Sequence, residues 1–128
     1  MKVLVDTHTF IWCTTDDVRL SPRAHDVIED NENIVLLSAA SAWEIIIKTQ
    51  SGKLKLAEHP GQFIREQLFL TGMEPLSVTL THTLQVLALP LHHKDPFDRI
   101  LVAQSLVENL PILTSDPIIA RYGVEIIW

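Results

Sequence analysis

Residues 2–6 are Lys2-Val3-Leu4-Val5-Asp6, a short apolar run that ends in a carboxylate. A run of this length, rich in β-branched residues, predicts a buried β-strand. Similar runs recur near residues 34–38, 74–78, 111–115 and 124–127. Longer stretches with helical spacing separate them. This alternation predicts βα units arranged around a central, mostly parallel sheet of about five strands.

Proline and glycine mark where the predicted helices begin and end. Ser21-Pro22, Asp95-Pro96 and Asp116-Pro117 each place a capping side chain before a proline at the first helical position. The helices predicted from these pairs run over about residues 22–32, 96–108 and 117–123. Further helices are predicted over about residues 39–50, 60–70 and 81–89, ending before glycine or proline.

The composition indicates one globular domain that we expect to be soluble and cytoplasmic. A chain of 128 residues with 47% apolar content can bury a real core, and its single cysteine, Cys13, cannot form an internal disulfide. The charged residue Asp6 comes too early in the sequence to leave room for the apolar segment of a signal peptide. The sequence also has no run of about 18 apolar residues that could span a membrane. We therefore expect no association with membranes.

The net charge of −6 opposes broad non-specific binding to nucleic acid, which depends on many Lys and Arg contacts to phosphate. The basic residues are not evenly spread, however, and a local field can differ in sign from the net charge. Five basic residues are expected to flank a candidate site formed by the acidic residues described next: Lys48, Lys53, Lys55, Lys94 and Arg99.

Four acidic residues, Asp6, Glu44, Asp98 and Asp116, lie where predicted strands and helices meet. The carboxyl ends of parallel strands form one crevice, so these side chains are expected to converge. Two carboxylates about 4 Å apart repel by about 4 kcal/mol at an effective dielectric of 20, so the group needs a cation or a proton. Oxygen-only ligands favour Mg²⁺ or Mn²⁺. The expected chemistry is metal-assisted hydrolysis of a phosphodiester.

Other catalytic classes are excluded by missing motifs. Four glycines in the whole chain cannot form a Gly-rich phosphate loop or a dinucleotide fingerprint. The sequence also contains neither a G-x-S-x-G elbow nor an H-E-x-x-H helix. P-loop, serine-hydrolase and zincin mechanisms are therefore excluded.

Glu44 has a structural alternative as the last member of a capping box that begins at Ser41. Ser38, at the exit of a predicted strand, is the better N-cap. It would place Glu44 in the second helical turn, beside Ser41 and Lys48. Asp6 has its own alternative as a turn residue after the first strand.

The acids near the two later helices have capping alternatives as well. Asp95 precedes a proline at the first helical position, so we expect a mainly structural role as N-cap. Asp98 lies in the same first turn, where the helix dipole stabilises a carboxylate with or without metal. Asp116 could be a cap or a ligand. Thr114 could orient a metal-bound water or simply favour a strand.

The histidines have no spacing that indicates a metal site. His92 and His93 are adjacent, so their side chains should point apart, and a solvent-exposed loop is expected for both. His8 is expected in a loop after Asp6, facing the crevice. None of the three is predicted to be catalytic.

Three stretches carry a resemblance to a known family: Val5-Asp6-Thr7-His8-Thr9-Phe10-Ile11-Trp12, Ser38-Ala39-Ala40-Ser41-Ala42-Trp43-Glu44-Ile45-Ile46-Ile47-Lys48 and Asp95-Pro96-Phe97-Asp98-Arg99-Ile100-Leu101-Val102-Ala103-Gln104. Thr114-Ser115-Asp116 follows in order. Together they resemble a PIN-domain protein of the VapC-type toxin group, over essentially the whole chain. The resemblance implies a single PIN domain over residues 1–128, folded as a three-layer α/β/α sandwich.

The same resemblance implies an Mg²⁺- or Mn²⁺-dependent endoribonuclease that acts as the toxin of a type II toxin-antitoxin pair. The residues that match the family's acidic quartet are Asp6, Glu44, Asp98 and Asp116. Thr7 and Thr114 match hydroxyl-bearing positions beside those acids, whereas Asp95 and Arg99 match a subgroup signature.

The partners implied by the resemblance are an RNA substrate, a cognate antitoxin protein and a second copy of the chain in a homodimer. Lys48 and Arg99 are the candidate RNA-binding residues. The competing hypothesis is a non-catalytic PIN-fold module that binds a partner protein through the same surface.

Overall fold

A five-stranded, entirely parallel sheet forms the centre of the computed structural model, which describes residues 1–128. The strands are β1 (Lys2–Val5), β2 (Ile34–Ser38), β3 (Glu74–Leu76), β4 (Ile112–Leu113) and β5 (Ile126–Ile127). Their order across the sheet is β3-β2-β1-β4-β5. The predicted parallel sheet of about five strands is confirmed, although β3, β4 and β5 are shorter than expected. Pro111 has no N–H to donate, and at Asp116 a helix cap begins, so β4 is confined between them.

The helices are α1 (Thr7–Thr14), α2 (Pro22–Glu29), α3 (Ala39–Gln50), α4 (Pro60–Thr71), α5 (Leu80–Gln85), α6 (Pro96–Glu108) and α7 (Pro117–Ala120), with a 3₁₀ turn at Val86–Ala88 after α5. The sequence did not predict α1, and it made α2 and α7 too long. In α2 the helix ends early because the Asp30 carboxylate accepts the Glu32 N–H at 2.9 Å and begins a turn. None of the helices has both the length and the apolar character that crossing a bilayer requires.

The predicted helix caps are confirmed. The Ser21 hydroxyl accepts the Ala24 N–H at 3.0 Å, and both Asp95 and Asp116 accept backbone N–H groups of the helices that follow them. At the other end of a helix, Gly72 adopts φ +71°, a left-handed conformation that favours glycine and stops α4.

Helices cover both faces of the sheet, as the alternation along β1 shows. Val3 and Val5 pack into an apolar cluster with residues of α1 to α4, whereas Leu4 packs on the opposite face with residues of α6 and α7. All three side chains are fully buried. The predicted three-layer α/β/α sandwich is therefore confirmed, and Asp6 directly follows the central strand of its sheet.

Candidate functional site

Asp6 follows the central strand, and both of its carboxylate oxygens are held by the protein. Oδ1 accepts the Thr9 N–H at 2.7 Å, which makes Asp6 the N-cap of α1, and Oδ2 accepts a hydrogen bond from the Thr114 hydroxyl. Thr114 lies just after the neighbouring strand β4, and its hydroxyl oxygen accepts the Asp116 N–H at 3.0 Å. The side chain of Thr114 thus fixes the position of one acid and the backbone of another.

Glu44 lies in the second turn of α3 and is 3% exposed. Its Oε1 accepts the Thr7 hydroxyl at 2.7 Å, and its Oε2 pairs with the Lys48 ammonium at 2.6 Å. Ser38 is the N-cap, accepting the Ala40 N–H at 3.0 Å, so the capping box beginning at Ser41 is wrong. A buried carboxylate needs such partners, because removing an unpaired charge from water is costly.

Asp98 lies in the first turn of α6, and its side chain is 23% exposed. Burial raises the pKa of this carboxyl to about 6; a hydrogen bond from His93 opposes the shift, and the negative charges of Asp95 and Asp116 add to it. Both neighbouring acids are therefore close enough to repel Asp98. The structure therefore places Asp98 and Asp116 near each other, whereas the convergence of all four acids stays a prediction.

Asp95 and Asp116 both act as helix caps. Asp95 accepts the N–H groups of Phe97 and Asp98 at 2.9 and 3.2 Å, and Asp116 accepts that of Ile118 at 2.9 Å. In each case Oδ1 makes these bonds and Oδ2 makes none. Capping therefore leaves one oxygen of each carboxylate available to a further partner.

The acids fit a cation that keeps much of its water. No group of three side chains of the His, Cys, Asp and Glu types is arranged so that it could hold a metal ion by itself. Mg²⁺ in proteins usually retains several waters and binds through one or two carboxylates, so a closed cage is not required. The donors are all oxygen, and a divalent cation would offset both the burial and the lesser repulsion from neighbouring acids that raise the pKa of Asp98.

His93 belongs to this site, and its predicted placement in a solvent-exposed loop is wrong. It lies in the loop before α6 but is only 16% exposed, with Nε2 3.1 Å from Asp98 Oδ2 and Nδ1 2.7 Å from the Tyr122 hydroxyl. His92 is also partly buried, with its ring against that of Tyr122. His8, predicted in a loop, lies in α1. The signal that could have identified His93 is its place five residues before Asp98, ahead of a capped helix.

Arg99 holds the loop before α6. Its Nη1 donates to the Pro90 carbonyl at 2.9 Å and to the Tyr122 hydroxyl at 3.1 Å. The guanidinium therefore binds protein groups on the side of the site where His93 lies. Its assignment as an RNA-binding residue stays a prediction.

A cleft of about 610 Å³ opens beside Thr7 and Lys48. Its walls include three further basic side chains, those of Arg19, Lys53 and Lys55. Arg19 already pairs with Asp17 at 2.8 Å, whereas both lysines are exposed. The structure thus places positive charge next to Glu44 in a chain whose net charge is negative.

The model of the PIN domain family matches residues 3–125, which include all four candidate acids and the strands β1 to β4 except Lys2. The chain belongs to the PIN domain family. Ribonuclease VapC16 of Mycobacterium tuberculosis is 42% identical over 57 residues, covering 44% of this chain and 40% of that protein. The match therefore spans about two-fifths of the length of that ribonuclease.

Solved structures share this PIN-domain fold over nearly all of the chain. VapBC2 from Rickettsia felis, bound to a DNA fragment from its promoter, has a TM-score of 0.71 at 13% identity, with 99% of this chain and 98% of that chain covered. VapBC-1 from nontypeable Haemophilus influenzae has a TM-score of 0.67 at 15% identity, with 99% of this chain and 97% of that chain covered. FitAcB from Neisseria gonorrhoeae has a TM-score of 0.62 at 17% identity, with 100% of this chain and 97% of that chain covered. At these identities the similarity establishes the fold.

Proposed function

We propose that this PIN domain is an Mg²⁺- or Mn²⁺-dependent endoribonuclease that acts as the toxin of a type II toxin-antitoxin pair. The observation that carries the proposal is the set of oriented carboxylates at the end of the central strand and in the first turn of α6. Asp6 is fixed by two hydrogen bonds, and Asp98 is partly buried beside two other acids. The partial match to a protein named as a ribonuclease supports the same activity.

Asp6 and Asp98 would hold the metal, and Glu44 and Asp116 would complete its surroundings. When bound, the ion polarises a phosphoryl oxygen and lowers the pKa of the attacking water. Thr114 and the Thr9 amide keep the Asp6 carboxylate in one orientation. Lys48 and Thr7 do the same for Glu44, which stays buried without a direct contact to bulk water. Such prior positioning avoids reorganisation during the reaction.

The cleft beside Glu44 supports RNA as the substrate. Lys53 and Lys55 are exposed along its wall and have no acidic partner within ion-pair distance, so they are free to contact phosphates. A net charge of −6 disfavours binding along an extended backbone and favours a short contact with exposed single-stranded nucleotides. Lys48 and Arg99, whose charged groups already have protein partners, would contribute less than these two lysines.

A cognate antitoxin and a second copy of the chain are the expected protein partners, and the cytoplasm is the expected location. Two of the similar structures are those of VapBC2 and VapBC-1. In this chain, four leucines close together in sequence are exposed in α5 and the segment after it: Leu80, Leu84, Leu87 and Leu91. Apolar side chains grouped in this way are typical of surfaces that bind another protein.

The proposal is tested with purified protein and a structured RNA. We expect cleavage in Mg²⁺ or Mn²⁺ and none in excess chelator, with activity restored when the metal is added back. Asp98→Asn should remain folded and inactive. Tight binding to a partner protein with no cleavage under any metal condition would instead support the non-catalytic interaction module.

A further inference from the structure

A chain of hydrogen bonds runs from Arg99 through Tyr122 and His93 to Asp98. We propose that His93 is a positioning residue that orients the Asp98 carboxylate for the divalent cation, and that Tyr122 sets the tautomer in which His93 does so. This inference rests on the proposed function, because it assigns Asp98 to the metal.

The available donors and acceptors determine the direction of each hydrogen bond in this series. Arg99 has only donors, so its Nη1 donates to the Tyr122 oxygen at 3.1 Å. An ionised Asp98 only accepts, so a neutral His93 must donate from Nε2, and its Nδ1 must then accept the Tyr122 hydroxyl proton at 2.7 Å. The neutral imidazole thus carries its hydrogen on Nε2 and donates it to Asp98 Oδ2 at 3.1 Å.

The hydrogen bonds are anchored at the end farthest from Asp98, by Arg99 and Tyr122, as the positioning of a carboxylate requires. Arg99 also donates to the Pro90 carbonyl at 2.9 Å, and the side chain of Tyr122 is buried. The loop before α6, the first turn of α6 and the segment after α7 are thereby tied together.

The two oxygens of Asp98 differ in consequence. Oδ2 accepts the hydrogen bond from His93, whereas Oδ1 has no hydrogen-bond partner in the protein. A carboxylate held through one oxygen presents the other in a fixed direction. Hydrogen-bond partners of ligating carboxylates and histidines typically change metal affinity or activity about 10- to 100-fold when they are removed.

The test measures Mn²⁺ binding by calorimetry without RNA, and RNA cleavage as a function of Mn²⁺ concentration. For His93→Ala we expect a dissociation constant for Mn²⁺ raised about 10- to 100-fold. Cleavage should need correspondingly more metal, with kcat largely recovered at saturating Mn²⁺ and KM for RNA unchanged. Tyr122→Phe keeps the buried ring and removes only the hydroxyl, so it should shift metal binding in the same direction by a smaller factor.

Two further variants separate positioning from packing. His93→Gln offers an amide N–H to Asp98 and should restore part of the Mn²⁺ affinity lost in His93→Ala. His92→Ala is the matched control, because His92 lies in the same loop and packs on Tyr122 but makes no hydrogen bond to Asp98. It should bind Mn²⁺ as the wild type does. Thermal unfolding of each variant checks that it is folded.

Unchanged Mn²⁺ affinity in His93→Ala, with the wild type binding Mn²⁺ and cleaving RNA, would overturn the inference and leave the proposed function intact. An equal loss in His92→Ala and His93→Ala would also overturn it, since packing of the loop would then be the cause. A wild-type protein that binds no Mn²⁺ and cleaves no RNA would refute both the inference and the proposed function.

Discussion

Asp98→Asn should stabilise the metal-free protein while it removes the activity. The pKa of Asp98 is raised from 3.8 to about 6, so ionising this carboxyl at pH 7.5 costs the folded state about 3 kcal/mol if solvent screening is ignored. Because 23% of the side chain is exposed, we expect a stabilisation of about 1–2 kcal/mol. Asparagine removes the charge, and its side-chain oxygen can still accept the hydrogen bond from His93.

The effect has a defined pH dependence. Between pH 3.8 and about 6 the folded wild type binds more protons at Asp98 than the unfolded chain does, so its stability falls as pH rises. Above about pH 6 the free-energy cost of ionising Asp98 in the folded protein has reached its full value and no longer changes with pH. The difference in the free energy of unfolding between Asp98→Asn and wild type should therefore be small near pH 4, grow to pH 6 and level off above it.

Urea unfolding of both proteins in chelator, at pH 4.5 and at pH 7.5, measures this difference directly. Addition of Mn²⁺ should then stabilise the wild type, by about 1.4 kcal/mol when the ion is at ten times its dissociation constant, and leave Asp98→Asn nearly unchanged. A variant that is less stable than wild type at pH 7.5 in chelator, or a difference independent of pH, would refute the reasoning.

Three other substitutions test the remaining contacts. Lys48→Met removes the charge partner of buried Glu44 and should lower the free energy of unfolding by about 1–2 kcal/mol in urea; restoring stability with Glu44→Gln in the same chain would confirm the cause. Asp95→Asn should keep the cap of α6 and most of the RNA cleavage, whereas Asp95→Ala should cost about 1 kcal/mol in thermal unfolding. Thr114→Val removes the hydroxyl that holds Asp6, so cleavage should fall at least tenfold while circular dichroism stays native; wild-type cleavage would show that the hydroxyl is dispensable.

The sheet and most helix starts could be predicted because their signals are local. Alternating apolar runs identify strands, and a capping side chain before proline identifies the start of α6 through Asp95. Ser38 could be identified as a cap because it follows a strand directly. These features depend on a few neighbouring residues, so the sequence alone contains enough information.

The start of α1 could not be predicted because its local signal is weak. The segment after Asp6 is rich in β-branched and aromatic residues, which are poor helix formers. Its helical structure is stabilised by the Asp6 cap and by burial of Phe10, which is fully enclosed in the core. The burial of Phe10 depends on the assembled sheet, so tertiary contacts override propensity here.

The role assigned to His93 depends on residues distant in sequence. Its Nδ1 partner, Tyr122, lies 29 residues further along the chain, in the segment after α7. Adjacent histidines in a loop give no indication of that contact. The convergence of all four acids stays a prediction, whereas the fold shows that Thr7 holds Glu44 and Thr114 holds Asp6.

Cleavage of one end-labelled structured RNA by wild type, Asp6→Asn and Asp26→Asn, purified identically and assayed with Mn²⁺, tests the central claim most directly. Asp26 is the matched control, because it is an exposed acid on α2. We expect the same cleavage products from wild type and Asp26→Asn, and none from Asp6→Asn or from any sample in chelator. Equal cleavage by folded Asp6→Asn and wild type would contradict the assignment of this site.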